Sequence, residues 1–235
     1  MMIKRLFDLT FSMVGLIILS PIFLLFIFLV FIYDFNSPFY VASRIGKGGK
    51  LFKMIKLRSM KVNADKTGVV STANDDDRIT PIGKVIRKFK FDELSQLINV
   101  FNGSMSLIGP RPQVSQDVDL YTNREKRLLT VRPGISDYAS IVFSDEGEIL
   151  EGSNDPDRDY NLLIRPWKSR LGLIYIDSQS FLLDIKLIIL TILSFLNKKT
   201  ALKLIYKDLS KRSASSKLLT VVLREEKLSP AEPPK

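Results

Sequence analysis

The chain has 235 residues, 46% of them hydrophobic, which suffices for one domain with a real core plus an attached membrane element and is a stretch for two domains. It contains no cysteine and no histidine, which excludes disulfides, the usual zinc sites, thiol nucleophiles and the commonest general base, so any catalysis runs on carboxylates, Lys, Arg, Tyr or hydroxyls. With 35 Lys+Arg against 25 Asp+Glu the formal charge is +10, which favours an anionic partner: nucleic acid, a phosphate-bearing ligand or the inner membrane surface.

From Leu9 to Tyr33 the sequence "LTFSMVGLIILSPIFLLFIFLVFIY" carries no charge, a run longer than the roughly 20 residues that cross a bilayer as a helix. It is too long for the about 7–15 apolar residues of a signal peptide, and no small-x-small cleavage site follows it. Ser20-Pro21 interrupts the run; proline lacks a backbone donor and clashes one turn back, so a kink or break is expected there. Basic residues flank both sides, Lys4 and Arg5 before and Arg44, Lys47, Lys50 and Lys53 after. Two cytoplasmic-looking flanks favour a helix that dips into one leaflet and returns. A kinked single-pass anchor accounts for the same residues about as well.

Residues 39–60, "FYVASRIGKGGKLFKMIKLRSM", read as a β-hairpin around Gly46–Gly49, with Lys53, Lys56 and Arg58 on the second arm. The "GKGGK" within it is no Walker A loop, because the spacing is wrong and Leu51 stands where Ser or Thr would hold magnesium. Residues 61–78 are polar and predict an exposed loop; the Asn74–Asp77 cluster lacks the pattern of a calcium loop. Thr80-Pro81 starts a basic helix, and Phe91, Leu94, Leu97, Ile98 and Phe101 fall on one face of the next. Farther on, 180–196 is strongly apolar, but its uncharged part is too short to span, so it predicts either a surface-lying helix with lysines at the headgroups or a buried core helix. Beyond Ser210 the Lys/Ser-rich sequence ending in "SPAEPPK" predicts a mobile tail.

Asp92 and Glu93 stand at the expected start of the helix over 91–101. A capping role is the plain explanation, since Asp is a good N-cap and both acids complement the helix dipole. Their surroundings suggest more. Lys84, Arg87, Lys88 and Lys90 precede the pair, Arg111 is held between Pro110 and Pro112, and Arg132-Pro133-Gly134 repeats the Arg-Pro theme. Rigid guanidinium groups grip phosphate in two-pronged fashion. Two carboxylates can serve as oxygen ligands to Mg²⁺, and one can act as a nucleophile.

The combination of "RLFD", a membrane helix broken at Ser20-Pro21, "FKMIKLRSM", "DDDRITPIGKVIRKFKFDELSQLINVFNGSMSLIGPRP", "RPGIS" and "SFLLDIKLIILTI" resembles the bacterial sugar transferases, and more narrowly the monotopic polyprenol-phosphate phosphoglycosyl transferases, over about residues 1–196. The resemblance implies an α+β, predominantly helical fold: a re-entrant membrane helix over 1–36, a domain over 37–209 with a β-hairpin and interfacial amphipathic helices, and a flexible tail over 210–235. It implies a bacterial inner-membrane protein, monotopic, with its site facing the cytoplasm. The expected partners are a UDP-sugar, polyprenol phosphate such as undecaprenyl phosphate, and membrane lipid, with no nucleic acid and with room for a homodimer. In the implied ping-pong reaction Asp92 attacks the β-phosphate, UMP leaves, and the polyprenol phosphate takes the phosphosugar from the carboxylate. Asp92 and Glu93 are then the Mg²⁺ ligands, Glu93 alternatively deprotonating the acceptor, and Lys56, Arg58, Arg87, Pro110, Arg111 and Arg132 are the substrate-binding positions.

Four departures stand out: Ser104 in place of the acid in the family's "GDMS", Ser95 for a proline, Gly172 where Asp is common, and "PGISDYASIVFSDEGEIL" for "PGITGWAQVNGR". The last keeps open an inactive scaffold, or an anionic-ligand binder of the same fold. A membrane-anchored nucleic-acid binder lacks any recognisable signature beyond charge, and an ordinary glycosyltransferase would release UDP rather than UMP.

Overall fold

The computed structural model describes residues 2–235. In chain order, helix α1 (Met2–Asp34) leads into an antiparallel hairpin, β1 (Phe39–Ile45) and β2 (Leu51–Leu57), then α2 (Pro81–Lys88), α3 (Gln96–Phe101) and β3 (Ser106–Ile108). Next come α4 (Ser115–Asp119), β4 (Gly134–Ser136), which pairs in parallel with β3, and three short helices, α5 (Tyr138–Val142), α6 (Glu146–Ile149) and α7 (Pro156–Asp159). The chain closes with α8 (Arg165–Asp177), α9 (Phe181–Leu196), α10 (Lys198–Ser210) and α11 (Ser216–Leu223). The expected α+β, mostly helical architecture is therefore present.

The hairpin forms where expected, its turn served by Gly48 and Gly49 at φ 68° and 75°, a region that side chains rarely tolerate. Helix α2 starts as its sequence dictates: the Thr80 hydroxyl accepts from the Gly83 amide at 2.9 Å, and Pro81 occupies the first turn. The main core lies between α5, α8, α9, α10 and α11, centred on Tyr138, Ile141, Leu171, Leu187 and Ile205. Helix α9 takes the core reading on one side and leaves the other exposed. Leu183, Leu187 and Leu190 are buried in the core, while Leu182, Ile189, Ile192 and Phe195 are exposed.

Two expectations are corrected. The first is the break at Ser20-Pro21: α1 is one continuous helix through both residues. Pro21 has no N–H to give the Ile17 carbonyl, and the Ser20 hydroxyl donates to that carbonyl instead, at 2.7 Å. The second is the mobile tail over 210–235. Residues 216–223 form α11, capped by Ser215, with Leu218 and Val222 buried; beyond it Leu228 and Ala231 pack on the same core. The apolar run "LLTVVL" is short enough to be hidden by the lysines and serines around it.

By length and composition α1 could cross a membrane, and little of it is buried. Yet both of its ends are fastened to the same domain. At one end Lys4 donates to the Ile108 carbonyl (3.0 Å) and pairs with Asp184 (2.5 Å), Arg5 donates to the carbonyls of Val100 and Phe101 at the end of α3 (2.6 and 2.7 Å), and buried Asp8 accepts from Ser106 Oγ (2.8 Å) and the Leu107 amide (3.1 Å). At the other end Asp34 forms a two-pronged pair with Arg58, both bonds 2.6 Å. Between them Phe23, Phe26, Ile27 and Val30 pack on Leu57, Ile86 and Phe91. The remaining side, including Leu6, Ile17, Ile18, Leu24, Leu25 and Phe28, is exposed and apolar.

Candidate active site

The carboxylate pair lies on a tight turn rather than on a helix start. Lys90 takes a left-handed conformation (φ 57°) that ends the basic helix, and Phe91–Glu93 form a single 3₁₀ turn before α3. Phe91 is fixed by ring contact with Phe26 of α1, centroids 4.8 Å apart. Neither acid caps α3: no side-chain cap is made at its N-terminus. The capping explanation for the acidic pair is thereby removed.

A polar seam then joins α3 to β2. The Ser95 hydroxyl lies 3.0 Å from the Ile55 carbonyl and 3.1 Å from that of Asp92, while the Asn99 amide donates to Lys53 O (2.7 Å) and accepts from the Ile55 amide (2.9 Å). Held across this seam, Lys56 Nζ stands 3.6 Å from Asp92 Oδ2. Asp92 is only 7% exposed, and its Oδ1 is buried with no hydrogen-bond partner; one turn on, buried Gln96 has an amide nitrogen in the same condition. Buried polar atoms are almost always satisfied, and leaving one unmet costs about 1–3 kcal/mol. An orphan carboxylate oxygen beside a lysine marks a place shaped for a ligand.

Glu93 is held differently. Its Oε1 accepts from Arg111 at 2.7 Å. Burial works to raise the Glu93 pKa, but Arg111, Lys56 and Lys90 outweigh it and hold the carboxyl well below its usual range. In return, Glu93 stabilises the charged form of Arg111. Lys56 is pushed down, first by burial and against the pull of Asp92.

Arg111 is aimed by two backbone strands in unusually close contact. The Gly134 amide donates to Pro110 O and the Gly109 amide to Ser136 O, each at 3.0 Å. A Cβ on Gly134 would lie 2.1 Å from the Gly109 nitrogen, so only glycine fits there. Beyond Arg111 opens a cleft lined by Gln113, Tyr121, Asp137, Tyr160 and Lys168. Asp137 comes from the atypical segment after "PGIS": it caps α5 by accepting from the Ser140 amide (2.7 Å), and Tyr138, Ala139, Ile141 and Val142 fill the core. Gly172 leaves the room that Leu128 occupies beside Pro110, since a Cβ there would meet Leu128 at 2.7 Å.

Lys56, Asp92, Glu93, Pro110 and Arg111 are thus brought together. Arg58 is not: its guanidinium is committed to Asp34 and to the Ser37 carbonyl (2.7 Å), so it fastens α1 to the end of β2. Arg87 lies in the last turn of α2 and, like exposed Arg132, has no ion-pair partner among the described residues. Sequence reasoning missed Gln96 and Asp137; only the helical repeat from Asp92 could have pointed to the former.

Among the described residues no three acidic side chains come together as a metal cage. A bare carboxylate oxygen on Asp92 beside Glu93 nevertheless suits Mg²⁺, which typically takes one or two protein carboxylates and completes its shell with substrate phosphate and water.

The family model described as bacterial sugar transferase matches residues 1–198. A putative undecaprenyl-phosphate N-acetylgalactosaminyl 1-phosphate transferase of Bacillus subtilis is 47% identical over 111 residues, which is 47% of this chain and 62% of that protein. An uncharacterized sugar transferase, EpsL, of the same organism is 35% identical over 193 residues, 82% of this chain and 86% of it. The undecaprenyl-phosphate galactose phosphotransferase of Salmonella typhimurium is 34% identical over 180 residues, 70% of this chain and 36% of that longer protein. With most of its length matched and the acidic turn, the Arg111 turn and the apolar α1 all present, the chain belongs to the bacterial sugar transferase family.

Proposed function

We propose that this protein transfers a sugar 1-phosphate from a UDP-sugar to a polyprenol phosphate such as undecaprenyl phosphate, releasing UMP, as an early membrane step of bacterial glycan assembly. The observation that carries this reading is the buried, unpartnered Oδ1 of Asp92 with Lys56 3.6 Å from the other oxygen. The names of relatives from Bacillus and Salmonella, which specify undecaprenyl phosphate and sugar phosphate transfer, support the same chemistry.

In this scheme Asp92 attacks the β-phosphorus of the donor; the bond from that phosphorus to the bridging oxygen breaks, and its electron pair leaves with UMP. An oxygen of the polyprenol phosphate then attacks the same phosphorus and the Asp92 carboxylate is regenerated. Lys56 and Arg111 offset the charge that gathers on the phosphoryl oxygens. Glu93, kept ionised by its cationic neighbours, is a weak proton acceptor; its role is to orient Arg111 and to supply a second carboxylate for Mg²⁺. Bound there, Mg²⁺ would neutralise the diphosphate.

The two fastened ends of α1 support a monotopic placement. A helix of this length extends about 50 Å at about 1.5 Å per residue, and a bilayer-crossing path would separate its ends by the hydrocarbon core of about 30 Å. Lys4, Arg5, Asp8 and Asp34 all bond to one domain. A bend at Pro21, which an unbroken helix accommodates, then lets it dip into one leaflet and return as a re-entrant element, with the exposed apolar side in lipid and the site at the cytoplasmic surface, where UDP-sugars occur.

The test is to incubate the membrane-embedded protein with Mg²⁺, polyprenol phosphate and a panel of UDP-sugars. The expected nucleotide product is UMP, and intact mass with donor alone should show a phosphosugar adduct that Asp92→Asn abolishes. Release of UDP, or full turnover without any adduct, overturns the reading.

A further inference from the structure

Arg44 belongs to no interaction described so far. It is half-buried on β1 and, among the described residues, its guanidinium makes no hydrogen bond and no ion pair. Such a side chain is unusual, since a partly buried guanidinium with five donors normally finds carbonyls or carboxylates.

Its position follows from the hairpin. Alternation along β1 puts Tyr40, Ala42 and Arg44 on one face, and the pairing sets Lys56 opposite Tyr40, Met54 opposite Ala42 and Phe52 opposite Arg44. Ala42 and Met54 are buried against Val100 and Met105, so this face is turned toward the domain and the site. The end of the strand is then clamped to the Arg111 turn, because the Ile45 amide donates to the carbonyl of Gln113 at 2.9 Å. Arg44 consequently shares the hairpin face that carries Lys56, near the strand end tied to the Arg111 turn. Burial and the neighbouring Arg111 charge disfavour its protonated form, against the partial compensation of Tyr40 and Asp117. Asp117, on α4, makes no ion pair with it.

Lys56 and Arg111 each have a carboxylate of the turn as partner, Asp92 and Glu93, whereas Arg44 has none within ion-pair distance. A donor diphosphate carries two phosphates in line, and only the β-phosphate needs to approach Asp92. We infer that Arg44 binds the α-phosphate of the nucleotide donor, the phosphate that departs within UMP, and stabilises the negative charge that develops there as the bridging bond breaks. Arg44 transfers no proton; it supplies positive charge and directed N–H donors. This assignment rests on the phosphoryl-transfer reading above, yet it makes a claim that can fail separately: an α-phosphate contact serves the donor half-reaction and UMP binding, and nothing in the acceptor half-reaction.

The experiment uses the full chain in lipid nanodiscs. UMP binding is measured by calorimetry for the wild type, Arg44→Ala and Arg44→Lys, and the two half-reactions are timed apart: UMP release with donor alone, then transfer from preloaded protein to polyprenol phosphate. For Arg44→Ala, loss of one charge-assisted contact is expected to weaken UMP binding about tenfold or more and to slow UMP release with donor alone at least as much. The second half-reaction should run at the wild-type rate, and Arg44→Lys should recover part of the loss. Unchanged UMP affinity, or an equal fall in both half-reactions, overturns the assignment. Should the wild type bind UMP and lose that affinity in Arg44→Ala while no adduct ever forms, the phosphate contact stands and the covalent route falls.

Discussion

Arg58 offers a sharp way to separate an anchoring cation from a substrate-binding one, because sequence alone placed it beside Lys56 in a single basic arm. Its guanidinium makes two bonds of 2.6 Å to Asp34 and one of 2.7 Å to the Ser37 carbonyl, with side-chain exposures of 9% for Arg58 and 24% for Asp34. Removing one partner of a fully buried pair costs about 3–5 kcal/mol, chiefly by stranding the other charge. Since Asp34 retains some access to water, which screens the pair, Asp34→Asn is expected to cost about 2–3 kcal/mol, or about 4–12 °C in Tm for a chain of this size. Arg58→Met should cost a similar amount, and the double variant less than the sum, because the stranded partner is gone. The Asp34 carboxyl is held below its usual range by the hydrogen bond from Arg58. This contribution is therefore complete above the ordinary carboxylate range and fades only as pH falls through the lowered value. Thermal unfolding in nanodiscs measures the cycle, and donor KM is measured alongside. The reasoning is refuted if Arg58→Met raises KM about tenfold or more with Tm unchanged while Asp34→Asn does nothing.

Glu93→Gln removes the ion pair that aims Arg111, and is expected to slow UMP release about 10–100-fold while still permitting the adduct, read by quenched-flow and intact mass. Gly134→Ala drives a Cβ into the Gly109 backbone and should leave too little folded protein for a cooperative melt, whereas the same change at Gly48, whose Cβ would meet nothing within 4 Å, should cost only about 1 kcal/mol of turn strain. Gln96→Met deletes a buried amide that the fold leaves unsatisfied; it should melt at or slightly above the wild-type temperature yet release UMP about tenfold more slowly, whereas loss of stability with unchanged kinetics would make Gln96 structural.

What the sequence made legible was local. The hairpin announced itself through Gly46–Gly49, α2 through Thr80-Pro81, and the acidic pair and Arg111 through short motifs whose geometry is mostly internal to them. What it concealed depended on partners far along the chain. Arg58 and Lys56 are only two residues apart, but β2 ends at Leu57 between them, so Lys56 reaches Asp92 from the strand while Arg58, just past its end, turns to Asp34. The proline in α1 looked like a break because its missing donor was visible and its substitute was not: the adjacent Ser20 hydroxyl serves Ile17. The segment after "PGIS" looked like a damaged recognition loop. Its hydrophobic residues between Tyr138 and Phe143 are instead the inner layer of the main core, and Asp137 and Ser140 line the cleft.

These placements make α1 part of the catalytic domain's construction rather than an anchor joined to it. Phe26 packs on Phe91, the residue before Asp92, and Asp8 and Lys4 bond to β3, the strand that runs directly into Gly109-Pro110-Arg111. Both halves of the site are thus set by a helix whose outer side is exposed and apolar. Deleting residues 2–34 would bare Leu57, Ile86 and Phe91 and strand Arg58 and Asp184 without their partners. Exposing that surface forfeits about 25 cal/mol per Å² of apolar area, and each stranded charge costs further. The truncated chain is therefore expected to aggregate when made without detergent and to lack donor-dependent UMP release even when solubilised. A truncation that stayed monomeric by light scattering, melted cooperatively and retained UMP release with donor alone would show that the site assembles without α1, and that the lipid surface serves only to deliver the acceptor.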